Sequence, residues 1–279
     1  MQFNKAQIII LGVLLGLVGI LVYLNYKSST PDMVPATQAP MAMHKPFDFD
    51  EYLGNLKDSV SAETWQSLSD QTQIANKPDA RLFEIVGLAS TWDSLGFKLV
   101  GAHYFSKAAA RLNDENSWYN SALKYYEFAA TCVDTAMQIY ASKQAITAFE
   151  KVIALNENNL EAKNALAICY VQNDLDIMKG VQLLKDVTRR DSNNVDANYT
   201  LGMLSMRSGQ VDKAVGRFEA LTRIEPMNPE FHYYLGEAYS QLGKKNEAIK
   251  SFETFKGLVP DEEAKKNIDI TINNLKNSN

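Results

Sequence analysis

The 279-residue sequence has few of the residues that build disulfide scaffolds, collagen or nucleic-acid-binding surfaces. It contains two cysteines, eight prolines and fourteen glycines, which excludes a disulfide scaffold and collagen. A hydrophobic content of 46% excludes a wholly disordered chain. With 28 basic and 33 acidic residues the formal charge is −5, so the basic face of a general nucleic-acid binder is not expected.

The sequence also lacks the short motifs of common enzyme classes. It has no GxGxxG, GxxxxGKS/T, HExxH, GxSxG or CxxC, and His44, His103 and His232 lie far apart. Cys132 and Cys169 fall within helical apolar stripes and are interpreted as buried free thiols; a disulfide between adjacent hairpins is the alternative. We therefore expect no enzyme activity, no cofactor and no metal site.

A long segment without charge lies near the start of the chain. The 21 residues 6–26 would form a helix of about 31 Å, close to the roughly 30 Å of a bilayer's hydrocarbon core. They predict a transmembrane helix after a stub at 1–5. A cleaved signal peptide is the alternative, but the apolar run is longer than usual and no good cleavage site follows. A short stub before a single anchor usually stays inside, so the rest is expected to face outward.

Two features flank or lie within this segment. Gly12 and Gly16 form a GxxxG pattern that would allow a homodimer, although glycine is common in membrane helices anyway. Residues 27–46 hold four of the eight prolines and too few apolar residues for a core. They predict an extended or flexible linker.

Beyond residue 160 the sequence repeats itself. Small residues recur where two helices of a hairpin would cross, and large residues recur around that crossing. Glycines recur at the turn, and prolines follow the second helix. The pairs at a spacing of 34 are Leu201/Leu235, Gly202/Gly236, Gly209/Gly243, Ala214/Ala248, Phe218/Phe252 and Pro226/Pro260.

This pattern resembles the tetratricopeptide repeat, a helix–turn–helix unit of 34 residues. The resemblance implies an all-α fold: a right-handed α-solenoid, here preceded by one N-terminal transmembrane helix. The three repeats would span 160–262, as 160–194, 195–228 and 229–262, and a capping helix would follow at 263–279. One departure is Ser205, which stands where the neighbouring repeats have Tyr170 and Tyr239.

The region before residue 160 fits the repeat only loosely. Residues 47–77 predict a helical lead-in, and 78–159 predict degenerate hairpins. Apolar residues at alternating spacings of four and three from Tyr119 to Met137 predict one long first helix. The second helix of that hairpin would follow and end near residue 155.

In this family the first helices of successive repeats line a concave groove that receives a peptide or a partner helix. The equivalent positions here carry acids, tyrosine and methionine but no lysine or arginine, so the family's clamp for a terminal carboxylate is not supported. We expect instead a ligand segment with apolar anchors and some positive charge. In the alternative, Met203 and Met206 pack under neighbouring helices and the groove has no ligand. The candidate groove residues are Asn164, Ile168, Asp196, Tyr199, Met203, Met206, Glu230, Tyr233 and Glu237.

These features together predict a non-catalytic, membrane-anchored scaffold that binds proteins or peptides. The layout looks like that of bacterial inner-membrane proteins with a repeat domain facing the periplasm, some of which assist chaperones or export. The alternative is a cytosol-facing receptor or adaptor that captures targeting segments at a membrane.

Overall fold

The computed structural model describes residues 47–172 and 176–277, which form thirteen α-helices, one 3-10 segment (Leu56–Ser59) and no strands. The predicted all-α class is therefore confirmed for these residues. In chain order the helices are α1 (Phe49–Asn55), α2 (Ala62–Ala75), α3 (Leu82–Ser94), α4 (Lys98–Leu112), α5 (Glu115–Thr131), α6 (Thr135–Leu155), α7 (Leu160–Gln172), α8 (Ile177–Arg190), α9 (Val195–Arg207), α10 (Val211–Ile224), α11 (Pro229–Gln241), α12 (Lys245–Leu258) and α13 (Glu262–Asn277).

The predicted membrane segment and linker, residues 6–26 and 27–46, lie outside the described residues. Within 47–172 and 176–277, no helix combines the length and the apolar character that crossing a bilayer requires.

The helices from α3 onward pair as successive hairpins with short turns. In the two best-matched repeats the turn contains Gly209 or Gly243, whose φ angles are +73° and +71°. A side chain strongly disfavours that left-handed conformation, which explains why glycine recurs at both positions. The predicted role of these glycines is confirmed.

A side-chain cap begins each first helix of the repeats and the final helix. Asn159, Asn194, Asn228 and Asp261 each accept a hydrogen bond from a backbone N–H two or three residues further along, at 2.8–3.1 Å. Such caps satisfy helix donors that would otherwise lack a partner, and each stabilises a helix by about 1 kcal/mol. These caps, which follow one another after 35, 34 and 33 residues, set the start of each repeat and of the final helix.

In the hairpins α9–α10 and α11–α12 the two helices approach closely at a glycine. A Cβ atom added to Gly202 would lie 2.9 Å from Phe218 Cζ, and one added to Gly236 would lie 2.6 Å from Phe252 Cε1. Both phenylalanine side chains are fully buried. The prediction that these glycines permit a close crossing is confirmed.

The prediction of one long helix from Tyr119 to Met137 is wrong. Helix α5 ends at Thr131, and a new helix begins after Asp134, whose Oδ1 accepts the N–H of Met137 at 2.8 Å. Val133, which the apolar spacing placed in a buried stripe, is 97% exposed in the turn. The helical spacing of apolar residues extends across the turn between α5 and α6, and the Asp134 cap rather than that spacing determines where α6 begins.

A tyrosine links neighbouring repeats in two places. Tyr170 Oη donates to Glu150 Oε1 at 2.7 Å, and Tyr239 Oη donates to Glu219 Oε1 at 2.5 Å. At the equivalent position between them, the Ser205 hydroxyl bonds instead to a carbonyl of its own helix. The departure from the repeat pattern at Ser205 therefore removes one inter-repeat hydrogen bond.

Candidate functional site

The nine candidate residues lie on three equivalent helices, the first helix of each repeat. Helix α7 carries Asn164 and Ile168, and helix α9 carries residues from Asp196 to Met206. Helix α11 carries the last three, from Glu230 to Glu237. On each helix they are spaced by three or four residues, so they share one face.

Ile168 and Asp196 are accessible to a ligand. Ile168 is half-buried and lies outside the core clusters formed by the described residues. Asp196 is exposed and, within the described part of the chain, makes no hydrogen bond or ion pair. Ile168 therefore offers a ligand an apolar contact on α7, and Asp196 offers it a negative charge on α9.

Tyr199 is bound within the fold and is not a free anchor. Its Oη donates to Glu230 Oε1 at 2.8 Å, and its ring centroid lies 5.7 Å from that of Tyr234 and 6.2 Å from that of Phe231. Burial raises the pKa of Tyr199, and Tyr234 and Glu230 raise it further. The tyrosine therefore joins α9 to α11.

Tyr233 and the two methionines also contribute to packing. The Tyr233 ring lies 6.0 Å from the Phe252 ring and 5.5 Å from the Phe255 ring, between α11 and α12. Met203 and Met206 are half-buried against the cluster that surrounds Phe218. Their inner sides pack in the repeat, and only their outer sides remain available to a ligand.

A second tyrosine–glutamate pair joins adjacent first helices nearer the start of the solenoid. Tyr119 Oη on α5 donates to Glu161 Oε2 on α7 at 3.3 Å. The sequence analysis did not identify this pair. The available signal was an acid in the first turn of one first helix and a tyrosine within the first two turns of the preceding one.

Among the described residues, Asp196 near the start of α9 has no ion-pair partner. Partial burial of the carboxyl group raises the pKa of Asp196, and the negative charge of Glu225 raises it further. Burial raises the pKa of Tyr126, on α5, to about 12, and Cys169 and Asp196 add to that shift. The electrostatic potential around Asp196 is therefore negative, and it disfavours the binding of an anion.

The cysteines show no sign of redox or nucleophilic chemistry. Within the described residues neither cysteine forms a disulfide, and Cys132 is only half-buried. Cys169 is buried, and burial raises the pKa of its thiol to about 12. A thiol with so high a pKa is unreactive because the thiolate is the nucleophilic form.

Two small cavities lie outside the face of the candidate residues. One of about 220 Å³ lies between α1, α2 and α3, and includes Trp65 and Trp92 in its apolar wall. Another of about 90 Å³ lies beside Tyr126 and Cys169. Both are smaller than the usual small-molecule pocket of about 300–1,000 Å³. Within 47–172 and 176–277 there is no group of three or more His, Cys, Asp or Glu side chains that could hold a metal ion.

The last two repeats match a known family. Residues 199–263, about a quarter of the chain, match the family model of the tetratricopeptide repeat. That segment therefore carries tetratricopeptide repeats. None of the curated protein sequences matches the chain significantly.

Solved structures with a similar fold include a tetratricopeptide repeat protein. YrrB, described as a TPR protein with an unusual peptide-binding site, has a TM-score of 0.52 at 17% identity, covering 72% of this chain and 97% of its own. Two structures of MamA each give a TM-score of 0.52. One is 21% identical, and the match covers 67% of this chain and 94% of the MamA chain. The other is 22% identical, and the match covers 64% of this chain and 96% of the MamA chain. At such low identity these similarities establish the solenoid fold alone.

Proposed function

We propose that this protein is a non-catalytic scaffold, anchored in a membrane by residues 6–26, that binds segments of partner proteins in the groove lined by α7, α9 and α11. The observation that carries the proposal is the aligned face of these three helices. It presents the half-buried Ile168, the outer sides of Met203 and Met206, and the unpaired carboxylate of Asp196. Adaptable apolar anchors beside a charge are typical of a recognition surface.

Two further findings support a binding role. Residues 199–263 match the tetratricopeptide repeat model, and a groove that receives a peptide is what that resemblance implies. One structural neighbour, YrrB, is described as having a peptide-binding site. The negative groove of this chain favours a ligand segment with apolar side chains and positive charge.

The groove can be tested by crosslinking and affinity purification from intact membranes with Ile168→Asp. Ile168 lies outside the core clusters, so this change should leave the helical content intact while placing a charge where an apolar anchor would bind. The matched control is Met178→Asp, on the second helix α8, where the methionine is already 67% exposed. Partners lost only with Ile168→Asp support the groove, whereas partners retained by both variants contradict it.

The proposed location is the bacterial inner membrane, with the repeats facing the periplasm. The support is the charge-free segment 6–26, which is long enough to cross a bilayer. The test uses Thr37→Cys in the linker together with Cys132→Ser, because the buried Cys169 should not react. Labelling by a membrane-impermeant maleimide on cells whose outer membrane is permeabilised supports this orientation. Labelling only after lysis supports the cytosol-facing receptor instead.

A further inference from the structure

The larger of the two cavities lies at the start of the solenoid, between α1, α2 and α3. Its volume is about 220 Å³. An apolar cavity of about 150 Å³ is large enough to bind benzene, so this one has room for a small organic molecule although not for a drug-sized ligand. The side chains that line it are Asp50, Leu53, Trp65, Ser69, Thr72 and Trp92.

Two of the three tryptophans of the chain line this cavity. Trp92 on α3 is 1% exposed, and its ring packs edge-on against Phe97 with the ring centroids 5.4 Å apart, so its indole is held in place. Trp65 on α2 is half-buried, so part of its indole remains accessible. Indole rings attract cations because the face of the ring carries negative potential, and they offer a large apolar surface to the substituents of such a cation.

The charged residue in the cavity wall is Asp50, on α1. Its side chain is exposed, and within the described residues its carboxylate accepts no hydrogen bond and forms no ion pair. His103, on which the charge of Asp50 acts, does not neutralise it at pH 7 because burial lowers the pKa of that ring to about 4. Lys107, which also acts on His103, donates instead to Asn76 Oδ1 at 2.6 Å. The cavity therefore has a negative charge that the neighbouring residues leave available.

The chemistry of the wall specifies a class of ligand. The carboxylate of Asp50 disfavours an anion, and the apolar wall disfavours a strongly hydrated inorganic cation, which would lose its water on entry. A primary ammonium would bring three N–H donors into a wall with few acceptors. A quaternary ammonium has no N–H group to satisfy, and its methyl groups suit the indole surfaces.

We propose that the cavity between α1, α2 and α3 binds a small quaternary ammonium compound. Trp65 and Trp92 contact the methyl groups, and Asp50 supplies the complementary charge. The lining residues lie on α1, α2 and α3, away from the groove of α7, α9 and α11, so this site does not depend on the proposed groove function.

The first experiment separates charge from shape. The full-length chain in a non-ionic detergent is titrated with choline and with 3,3-dimethylbutanol, which has the same shape but a neutral carbon in place of the charged nitrogen. Tryptophan fluorescence reports binding because Trp65 and Trp92 line the cavity, and calorimetry gives an independent dissociation constant. Choline should bind about tenfold more tightly than the neutral alcohol, the ratio that corresponds to about 1.4 kcal/mol.

The second experiment locates the binding with variants. Asp50→Asn should weaken the binding of choline about tenfold and change that of the alcohol less than twofold. The matched control is Asp58→Asn, an exposed acid in the nearby 3-10 segment and outside the cavity wall, which should bind as the wild type does. Ser69→Leu places a larger side chain in the cavity and should abolish the binding of both compounds. The Ser69 hydroxyl makes no hydrogen bond within the described residues, so this change loses none, and circular dichroism checks that the variant remains folded.

A third titration, with glycerophosphocholine, distinguishes two sources of the same group. Tighter binding of choline identifies a free solute, whereas tighter binding of glycerophosphocholine identifies a lipid headgroup, and either result supports the site. Three results would overturn it: no saturable binding of choline, equal binding of choline and the neutral alcohol, or unchanged binding of choline by Asp50→Asn.

Discussion

The tightest helix crossing in the repeats allows a test of the packing at Gly236. An alanine Cβ at this position would lie 2.6 Å from Cε1, 2.7 Å from Cδ1 and 2.9 Å from Cζ of Phe252. Carbon atoms pack comfortably at about 3.5–4.0 Å, so the ring must move by roughly 1 Å. The ring is fully buried and contacts Tyr233, which restricts that movement.

The magnitude follows from two opposing terms. Overpacking of a core costs about 1–3 kcal/mol, whereas alanine in place of a helical glycine contributes about 1 kcal/mol. Gly236→Ala should therefore lower the free energy of unfolding by about 1 kcal/mol. The matched control is Gly216→Ala, also mid-helix, where an added Cβ meets nothing within 4 Å. That variant should gain up to about 1 kcal/mol.

Urea unfolding followed by far-UV circular dichroism measures both variants. The helix-propensity term cancels between them, so their difference, about 1–3 kcal/mol, isolates the crossing itself. Adding Phe252→Leu to Gly236→Ala should cost less than Phe252→Leu costs alone, because the smaller side chain makes room for the methyl group. Equal stabilisation by the two alanine variants would refute the close crossing.

Three other features of the fold can be tested in solution. Burial lowers the pKa of His103 from 6.5 to about 4, so the free energy of unfolding should be full above pH 6.5 and fall by about 2 kcal/mol from pH 7 to pH 5. The variant His103→Phe should lose that pH dependence. If the variant unfolds with the same pH dependence as the wild type, His103 is not its cause. Because Cys169 is buried and its thiol has a pKa of about 12, a maleimide should modify only Cys132 in the native protein and both thiols in urea; rapid native labelling of Cys169 would contradict the buried position. Deleting residues 262–279 removes Ile268, which is 4% exposed and packs against α12, and so exposes the apolar surface of α12. The truncated chain should therefore aggregate, as measured by light scattering. A stable, monodisperse product would show that α13 is dispensable.

The architecture of the last repeats could be predicted from the sequence because each of its structural constraints needs a particular residue type. A positive φ requires glycine at 209 and 243, and a close crossing requires glycine at 202 and 236. These needs recur at a constant spacing, so the hairpins could be placed without coordinates. The region before residue 160 lacks that repetition, and there the apolar spacing alone carried the interpretation through the turn at Asp134.

The candidate groove was predicted less completely than the fold. The repeat pattern indicated which helix faces would be aligned, and the structure gives those faces to α7, α9 and α11. It did not indicate how each side chain is used, because a tyrosine on such a face suits a ligand as well as a neighbouring helix. The bond from Tyr199 to Glu230 depends on where the next helix places its first turn, and that is a tertiary property.

The sequence alone therefore determined the helical class, the spacing of the hairpins and the acidic character of the groove. All three depend on residue types and their order along the chain. Only the tertiary structure decided which polar groups are satisfied. Glu230 accepts a hydrogen bond from Tyr199 on α9, whereas Asp196 and the buried Oδ1 of Asn164 receive no donor from the residues that the structure describes. Hydrogen bonds extend over about 3 Å, so their partners follow from how neighbouring helices pack.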